Sequence, residues 1–279
     1  MGIYRSPDIE GLKNYSDWKE DAEINILVLH YTEETYRWSW EILTSEANEE
    51  VFASSHYLVR EDAWLDSLVE EEKKAWHAGV SNWRGINDLN QYSIGIEIVN
   101  LGTKTTCFPL DKSPPSGDCT VHPFSEIQMY KVLELVTDIW SRHPKITNRN
   151  IIAHADIGFQ AGRWIDPGPL FDWKLLAENG HGMWPRIDEA ADLNPTTLYK
   201  LGDCHDQIMK LRKDLILYGY NVAETGNWCY TEDLGYAVRA FNFHFHQSKA
   251  NDWGEWDSTA EKLLQDLLAQ IKEGYFEVQ

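Results

Sequence analysis

The chain has 279 residues, of which 43% are hydrophobic, so it is long enough for one large domain or two ordinary ones with a real core. Its formal net charge of −20 disfavours nucleic acid and anionic membrane surfaces as partners, because like charges repel. No apolar run approaches the roughly 20 residues that a membrane span needs, and the first residues lack the apolar segment of a secretion signal. We therefore expect either a cytoplasmic protein or one whose leader was removed.

The first part of the chain alternates between strand-like and helix-like segments. Short apolar runs predict four strands, over residues 24–32, 53–62, 93–100 and 151–155. Helical spacing of apolar residues predicts helices over 35–45 and 123–144, the second capped by Ser125 and followed by a proline at its end. This order predicts an α/β fold with a mixed central β-sheet flanked by helices.

The pattern changes after Trp173. Residues 179–197 are rich in Gly, Pro and Asn, which predicts a linker. Three helical patterns follow, over about 203–218, 231–247 and 257–272, and they predict a small three-helix C-terminal domain. We therefore divide the chain into residues 1–178, a linker at 179–197, and residues 198–279.

The four cysteines are Cys107, Cys119, Cys204 and Cys229. Their spacings match no zinc-ribbon pattern, and none stands beside a candidate base, so we interpret none as a nucleophile. Cys107 and Cys119 bracket a proline-rich loop, where a disulfide would form in an oxidising compartment. Free thiols remain an equal alternative.

Candidate chemistry centres on two histidines, His30 and His154, at the ends of separate predicted strands. Asp166 precedes Pro167, which restricts its backbone and holds its carboxylate in one direction. These three side chains offer the ligand set of a catalytic zinc, which leaves a fourth position to water, and Glu97 could take the proton from that water. Spacing alone leaves structural roles open for each residue, and two histidines with a carboxylate also hold ferrous iron in some oxygenases.

Four segments resemble the zinc-dependent N-acetylmuramoyl-L-alanine amidases of type 2, a family related to peptidoglycan-recognition proteins. In order, from about residue 20 to about residue 178, they read VLHYT, SSHYLVRED, AWHAGVSNWRGINDLNQYSIGIEIVN and IIAHADI…GRWIDPGPLFDW. The later segment MKLRKDLILYGYNVAETGNWCYTEDLGYAVRAFNFHF is similar to a three-helix peptidoglycan-binding domain. The resemblance implies the type 2 amidase fold with a C-terminal peptidoglycan-binding module.

Residue by residue, the resemblance implies a zinc ion bound by His30, His154 and Asp166, with Glu97 as the catalytic acid/base. It also implies a substrate groove shaped by several further residues: His77, Trp83, Asn90, Arg163 and Trp164.

One position departs from the family pattern. Trp164 stands where the family has a lysine thought to stabilise the oxyanion formed during attack on the amide. Arg163 is adjacent, but in an extended segment its side chain would point to the opposite face. Either another cation substitutes for the lysine, or zinc alone polarises the carbonyl, or turnover is slow.

The implied activity is hydrolysis of the amide bond between the lactyl group of N-acetylmuramic acid and L-alanine, in peptidoglycan or in anhydro-muropeptides. A non-catalytic peptidoglycan-recognition protein is the alternative, favoured by Trp164 and disfavoured by the retained ligand set. The expected partners are peptidoglycan and muropeptides, with no nucleic acid, and we expect a monomer. The expected location is the periplasm or cell envelope, with the cytoplasm as the alternative.

Overall fold

The structure is a computed structural model that describes residues 4–5, 14–45, 53–102, 120–163, 165–188, 194–223, 228–247 and 254–274. Its strands, in chain order, are β1 (Tyr4–Arg5), β2 (Tyr15–Ser16), β3 (Ile26–Tyr31), β4 (Tyr57–Val59), β5 (Leu65–Ser67), β6 (Lys74–Ala75), β7 (Asn82–Trp83), β8 (Ile86–Asn87), β9 (Ser93–Ile98), β10 (Ile151–Ala153), β11 (Thr197–Tyr199) and β12 (Trp256–Asp257). Its α-helices are α1 (Tyr36–Thr44), α2 (Glu126–Arg142), α3 (His154–Gly158), α4 (Trp173–Glu178), α5 (Asp206–Tyr218), α6 (Glu232–Phe245) and α7 (Ser258–Lys272).

Six strands form the central sheet, in the order β1-β5-β4-β9-β3-β10. Strands β4, β9, β3 and β10 run parallel to one another, whereas β5 is antiparallel to β4. Every residue of β3 is buried, as expected for a parallel strand covered on both faces. The predicted α/β fold with a mixed sheet flanked by helices is confirmed.

The long helix α2 shows how the sequence sets these elements. The Ser125 hydroxyl accepts a hydrogen bond from the Gln128 backbone N–H, so the predicted N-cap is confirmed. Apolar side chains at helical spacing, among them Val132, Val136 and Ile139, are fully buried and join the main core. The helix is shorter than predicted by a few residues at each end.

The C-terminal helices α5, α6 and α7 pack on one another, and their apolar residues belong to the same core cluster as those of the central sheet. Trp83 lies at the joint, with its ring against Tyr218 and Tyr220. Arg149, just before β10, donates hydrogen bonds to the carbonyl oxygens of Leu217 and Tyr218 at the end of α5. The helical part is therefore docked against the sheet.

A disulfide joins Cys204, just before α5, to Cys229, just before α6. Cys107 and Cys119 lie outside the described residues, so the predicted alternatives for that pair stay open. Among the described residues, no helix combines the length and the apolar character needed to cross a bilayer.

Candidate active site

Three adjacent parallel strands deliver the central side chains to one edge of the sheet. His30 is the fifth residue of β3, and it pairs in register with Glu97 of the neighbouring β9. His154 follows β10, the strand on the other side of β3. Because the carboxyl ends of parallel strands open on a common crevice, this edge is where an α/β sheet binds ligands.

Asp166 reaches the same edge from the loop after α3. Its backbone carbonyl accepts a hydrogen bond from the Ala155 N–H at 2.8 Å, and its Oδ1 accepts one from the Tyr31 N–H at 2.6 Å. The peptide bond between Asp166 and Pro167 is cis. Both hydrogen bonds hold the carboxylate beside the two histidines.

The ligand atoms of His30, His154 and Asp166 form a nearly equilateral triangle. The Nδ1 atoms of the two histidines are 3.0 Å apart, and Asp166 Oδ2 lies 3.2 Å from His30 Nδ1 and 3.0 Å from His154 Nδ1. Tetrahedral zinc with bonds of about 2.0–2.1 Å separates its ligand atoms by about 3.3 Å. The two nitrogens and one oxygen therefore match the donor types and the spacing that a zinc ion requires.

The contacts of the remaining imidazole nitrogens also suit metal binding. His154 Nε2 donates to the Ala78 carbonyl at 3.3 Å, which leaves Nδ1 with its lone pair directed into the triangle. His30 Nε2 lies 3.0 Å from Nδ1 of the buried His77. Burial and the neighbouring His154 lower the pKa of His30 to about 4, so its ring is neutral at pH 7 and can act as a ligand.

Asp166 is charged at neutral pH, in contrast to the neutral ring of His30. Burial alone would raise its pKa, but the charges of His30 and His154 and their hydrogen bonds lower the pKa of Asp166 to about 2. It is therefore a carboxylate across the neutral pH range, and it supplies the negative charge of the site.

Glu97 faces the same pocket, and the residue as a whole is half-buried. Its Oε2 atom, however, is shielded from solvent and has no hydrogen-bond partner among the described residues. Burial, reinforced by Asp166, raises the pKa of Glu97 well above its usual range. A carboxyl group with a raised pKa and a free oxygen in a cavity is suited to accepting and returning a proton.

The pocket over the triangle has a volume of about 170 Å³. Ser39, Ile42 and Leu43 of α1 form part of its wall. Arg163 also lines it, and its positive charge acts to lower the pKa of Glu97 against burial. The chain before Arg163 forms a turn rather than an extended strand, because the Arg163 N–H bonds back to the Gly158 carbonyl. The extended conformation that would turn Arg163 to the opposite face is therefore absent at this residue.

The other predicted groove residues have different positions. Trp83 is 1% exposed and packs in the core, so it has no surface to offer a substrate there, and the predicted groove-lining position is not observed. Asn90 Oδ1 accepts the N–H groups of His77 and Ala78, so it holds the backbone behind the ligands. Trp164 lies outside the described residues.

His77 is 7% exposed and contacts both His30 and the pocket. It therefore supports a proposed ligand from behind as well as bordering the cavity. Glu33, which the sequence pattern did not predict as a site residue, lines the pocket and accepts a hydrogen bond from the Tyr31 hydroxyl at 2.9 Å. Its position three residues after His30, in HYTEE, was the available signal.

Residues 20–169 match the family Amidase_2, described as N-acetylmuramoyl-L-alanine amidase. N-acetylmuramoyl-L-alanine amidase AmiD of Escherichia coli K12 is 34% identical over 257 residues, which cover 88% of this chain and 82% of the relative. A match of this length extends past β10, the last strand of the central sheet, into helices α5 and α6.

Two of the solved structures that match nearly the whole chain contain a bound muropeptide. One is E. coli AmiD in complex with the substrate anhydro-N-acetylmuramic acid-L-Ala-D-γ-Glu-L-Lys, with a TM-score of 0.70 and 32% identity, covering 92% of this chain and 98% of that one. The other is AmpDh3 of Pseudomonas aeruginosa in complex with anhydromuramic pentapeptide, with a TM-score of 0.69 and 30% identity, covering 95% and 97%. By its sequence, its fold and the convergence of its polar side chains, this chain belongs to the N-acetylmuramoyl-L-alanine amidase family, Amidase_2.

Proposed function

We propose that the chain is a zinc-dependent hydrolase that cleaves the amide bond between the lactyl group of N-acetylmuramic acid and L-alanine, in peptidoglycan or anhydro-muropeptides. The observation that carries the proposal is the mutual 3.0–3.2 Å spacing of His30 Nδ1, His154 Nδ1 and Asp166 Oδ2, with Glu97 in the same pocket. Membership of the amidase family and the muropeptides bound by similar structures support the substrate class.

The proposed roles follow from the contacts. His30, His154 and Asp166 would hold a zinc ion, which supplies an acidified water and a polarised carbonyl to this chemistry. Glu97 accepts the proton of the attacking water and returns it to the amine of the departing L-alanine. Arg163, on the pocket wall, stabilises the negative charge that develops on the amide oxygen. His77 and Asn90 act from behind the ligands, and Trp164 borders the groove.

We further propose that residues 198–279 form a helical peptidoglycan-binding domain, joined to the catalytic domain of residues 1–178 by a linker at 179–197. The three packed helices and the similarity to a known binding module support this division. Holding the enzyme on its polymer would raise the local concentration of substrate. The disulfide between Cys204 and Cys229 supports a location in an oxidising part of the cell envelope.

The test uses the full chain and its Glu97→Gln, His30→Ala and Asp166→Ala variants. We expect the wild type to bind one zinc ion and to release stem peptide from anhydro-muropeptides and sacculi, as read by mass spectrometry, with activity lost to a chelator and restored by zinc. Glu97→Gln should keep zinc and lose turnover, whereas the two ligand variants should lose both. Substantial activity in Glu97→Gln would show that the base is misassigned. Undiminished zinc binding in both ligand variants would show that these residues do not form the metal site.

A further inference from the structure

A second buried polar cluster lies directly behind His154. Asp156, two positions after it in α3, is fully buried. Its Oδ2 accepts a hydrogen bond from the backbone N–H of Ala153 at 2.9 Å, which is the residue before His154. This bond ties together the two sides of the turn from β10 into α3, and that turn sets where the His154 ring stands.

The other contacts of Asp156 come from the C-terminal helical part. The Tyr220 hydroxyl, just after α5, donates to Asp156 Oδ1 at 2.7 Å. His244 Nδ1, on α6, donates to Asp156 Oδ2 at 2.8 Å. The same carboxyl group therefore bonds to the turn that carries a proposed metal ligand and to two elements far along the chain.

Both donors are themselves held by packing. Tyr220 is 1% exposed and stacks on Tyr218, and its ring makes a T-shaped contact with the ring of Trp83. His244 is stacked on Trp173 with ring centroids 3.8 Å apart. Hydrogen bonds between rigid, buried groups hold position well, because leaving one unmade costs the full desolvation of its partner. None of Asp156, Tyr220 and His244 is among the residues that line the pocket, so substrate contact does not account for this cluster.

We infer that Asp156 is a positioning residue for the metal site, and that residues 198–279 complete this site by holding Asp156 through Tyr220 and His244. The inference rests on the proposed zinc site and adds a role to the C-terminal part beyond attachment to the polymer. Affinity for zinc then depends on contacts made outside the catalytic domain. When residues 198–279 are docked, the turn from β10 into α3 is fixed and His154 Nδ1 stays in the triangle of ligand atoms. When that contact is lost, the turn is free to move and His154 moves with it.

The experiment compares Tyr220→Phe with Tyr218→Phe in the full-length protein. The two tyrosines are neighbours in the same buried stack, with ring centroids 5.8 Å apart, but only the Tyr220 hydroxyl bonds to Asp156. The readouts are zinc affinity by competition with a chelator, the visible spectrum of the cobalt-substituted protein, and kcat and KM for an anhydro-muropeptide.

We expect Tyr220→Phe to weaken zinc binding about tenfold, as loss of a contact behind a ligand commonly does, to change the cobalt spectrum, and to lower kcat more than it raises KM. Tyr218→Phe should keep wild-type zinc affinity and spectrum. Asp156→Asn, which keeps the size of the side chain but cannot accept all three bonds, should exceed the effect of Tyr220→Phe.

Wild-type zinc affinity and cobalt spectra in both Tyr220→Phe and Asp156→Asn would overturn the inference and leave the proposed function intact. Equal losses in Tyr218→Phe and Tyr220→Phe would also overturn it, because general loosening of the core would then be the cause. Failure of the wild-type protein to bind zinc would overturn the proposed function and this inference together.

Discussion

Two buried histidine rings, His77 and His56, lie in a row behind the proposed ligand His30. Both are uncharged at pH 7, so they place no positive charge behind the proposed metal site. His30 contacts His77, and His77 in turn lies edge-on to His56. Burial lowers the pKa of His56 to about 4 and that of His77 well below its usual value, so neither ring is charged at pH 7. His56 accepts the Gly95 N–H and donates to the Lys73 carbonyl, so both of its ring nitrogens bond to the backbone.

Arg163 is the cation next to Trp164, the residue that replaces the family lysine. It is exposed to solvent, lines the pocket and carries a positive charge toward Glu97. We expect Arg163→Ala to lower kcat by roughly 10²-fold with little change in zinc content, because loss of one oxyanion donor has an effect of this size. Arg163→Lys should retain more activity, since it keeps the charge.

The matched control for this prediction is Arg37→Ala, which removes an exposed arginine of α1 that does not line the pocket. Steady-state rates on an anhydro-muropeptide measure both variants. A value of kcat for Arg163→Ala within twofold of the wild type would mean that the charge of Arg163 takes no part in turnover.

Strand β9 needs a glycine beside the proposed ligands. A Cβ atom at Gly95 would lie 2.4–2.7 Å from atoms of the His77 ring, which real structures do not tolerate. We expect Gly95→Ala to displace His77 from His30, to weaken zinc binding, and to destabilise the metal-free protein by about 1–3 kcal/mol. Denaturant unfolding and chelator competition measure the two effects.

A double variant isolates the cause. If the added methyl group acts through the imidazole, His77→Ala should relieve it, so that the double variant is less destabilised than the sum of the single changes. Additive losses would place the effect of Gly95→Ala in the strand itself.

A cluster of polar contacts around Glu71 joins strand β4 to helix α2, and it makes the stability of the fold depend on pH in the acid range. Glu71 accepts hydrogen bonds from the Tyr57 hydroxyl at 2.7 Å and from His143 Nε2 at 2.8 Å, and it pairs with Arg142. Burial would raise the pKa of Glu71, but the bonds from His143 and Tyr57 and the charge of Arg142 lower it to about 2.

Because the folded state binds a proton at Glu71 less readily than the unfolded chain, the stabilisation is fully present above about pH 4.5 and is lost as the pH falls toward 2. We expect Glu71→Gln to be less stable than the wild type at pH 6, by about 1–3 kcal/mol, and to lose less stability between pH 5 and pH 3. Denaturant unfolding at each pH measures this. Glu178→Gln, at an exposed helix end, is the control. Parallel pH curves for wild type and Glu71→Gln would contradict the assignment.

The spacing of apolar residues in the sequence predicted the helices and strands correctly wherever a segment was long and periodic. Strands β3 and β9 and helices α1, α2, α5, α6 and α7 all lie within predicted segments, because burial of one face imposes a regular spacing on the sequence. The two-residue ribbons β2–β6 and β7–β8 were missed, since so short a pairing leaves no periodic trace.

The site residues His30, Glu97, His154 and Asp166 come together as expected. The position of Trp83 could not be read locally, because it depends on contacts with Tyr218 and Tyr220 far along the chain.

The sheet and the C-terminal helices share one apolar core. A Cβ atom at Gly219, the residue that ends α5, would lie 2.7 Å from the ring of Trp83, so the two parts fit closely at this joint. We therefore expect the metal-free protein to unfold in a single thermal transition by calorimetry, with far-ultraviolet and near-ultraviolet circular dichroism changing together.

Trp83→Ala should lower the midpoint of that transition, because deleting a large buried ring costs about 3–5 kcal/mol. Two well-separated transitions in the wild-type protein would show instead that the parts fold independently and that their contact is weak.

The turn after β10 has a second consequence, for solubility. β10 is three residues long and forms one end of the central sheet, and the chain leaves it at once to enter α3. Terminal strands invite pairing with foreign chains through their backbone amides, and shortness is a common protection against such edge-to-edge aggregation. The turn from β10 into α3 brings His154 beside the other proposed ligands. The same turn ends the strand after Ile151, Ile152 and Ala153, so that the edge available for pairing with another chain stays short.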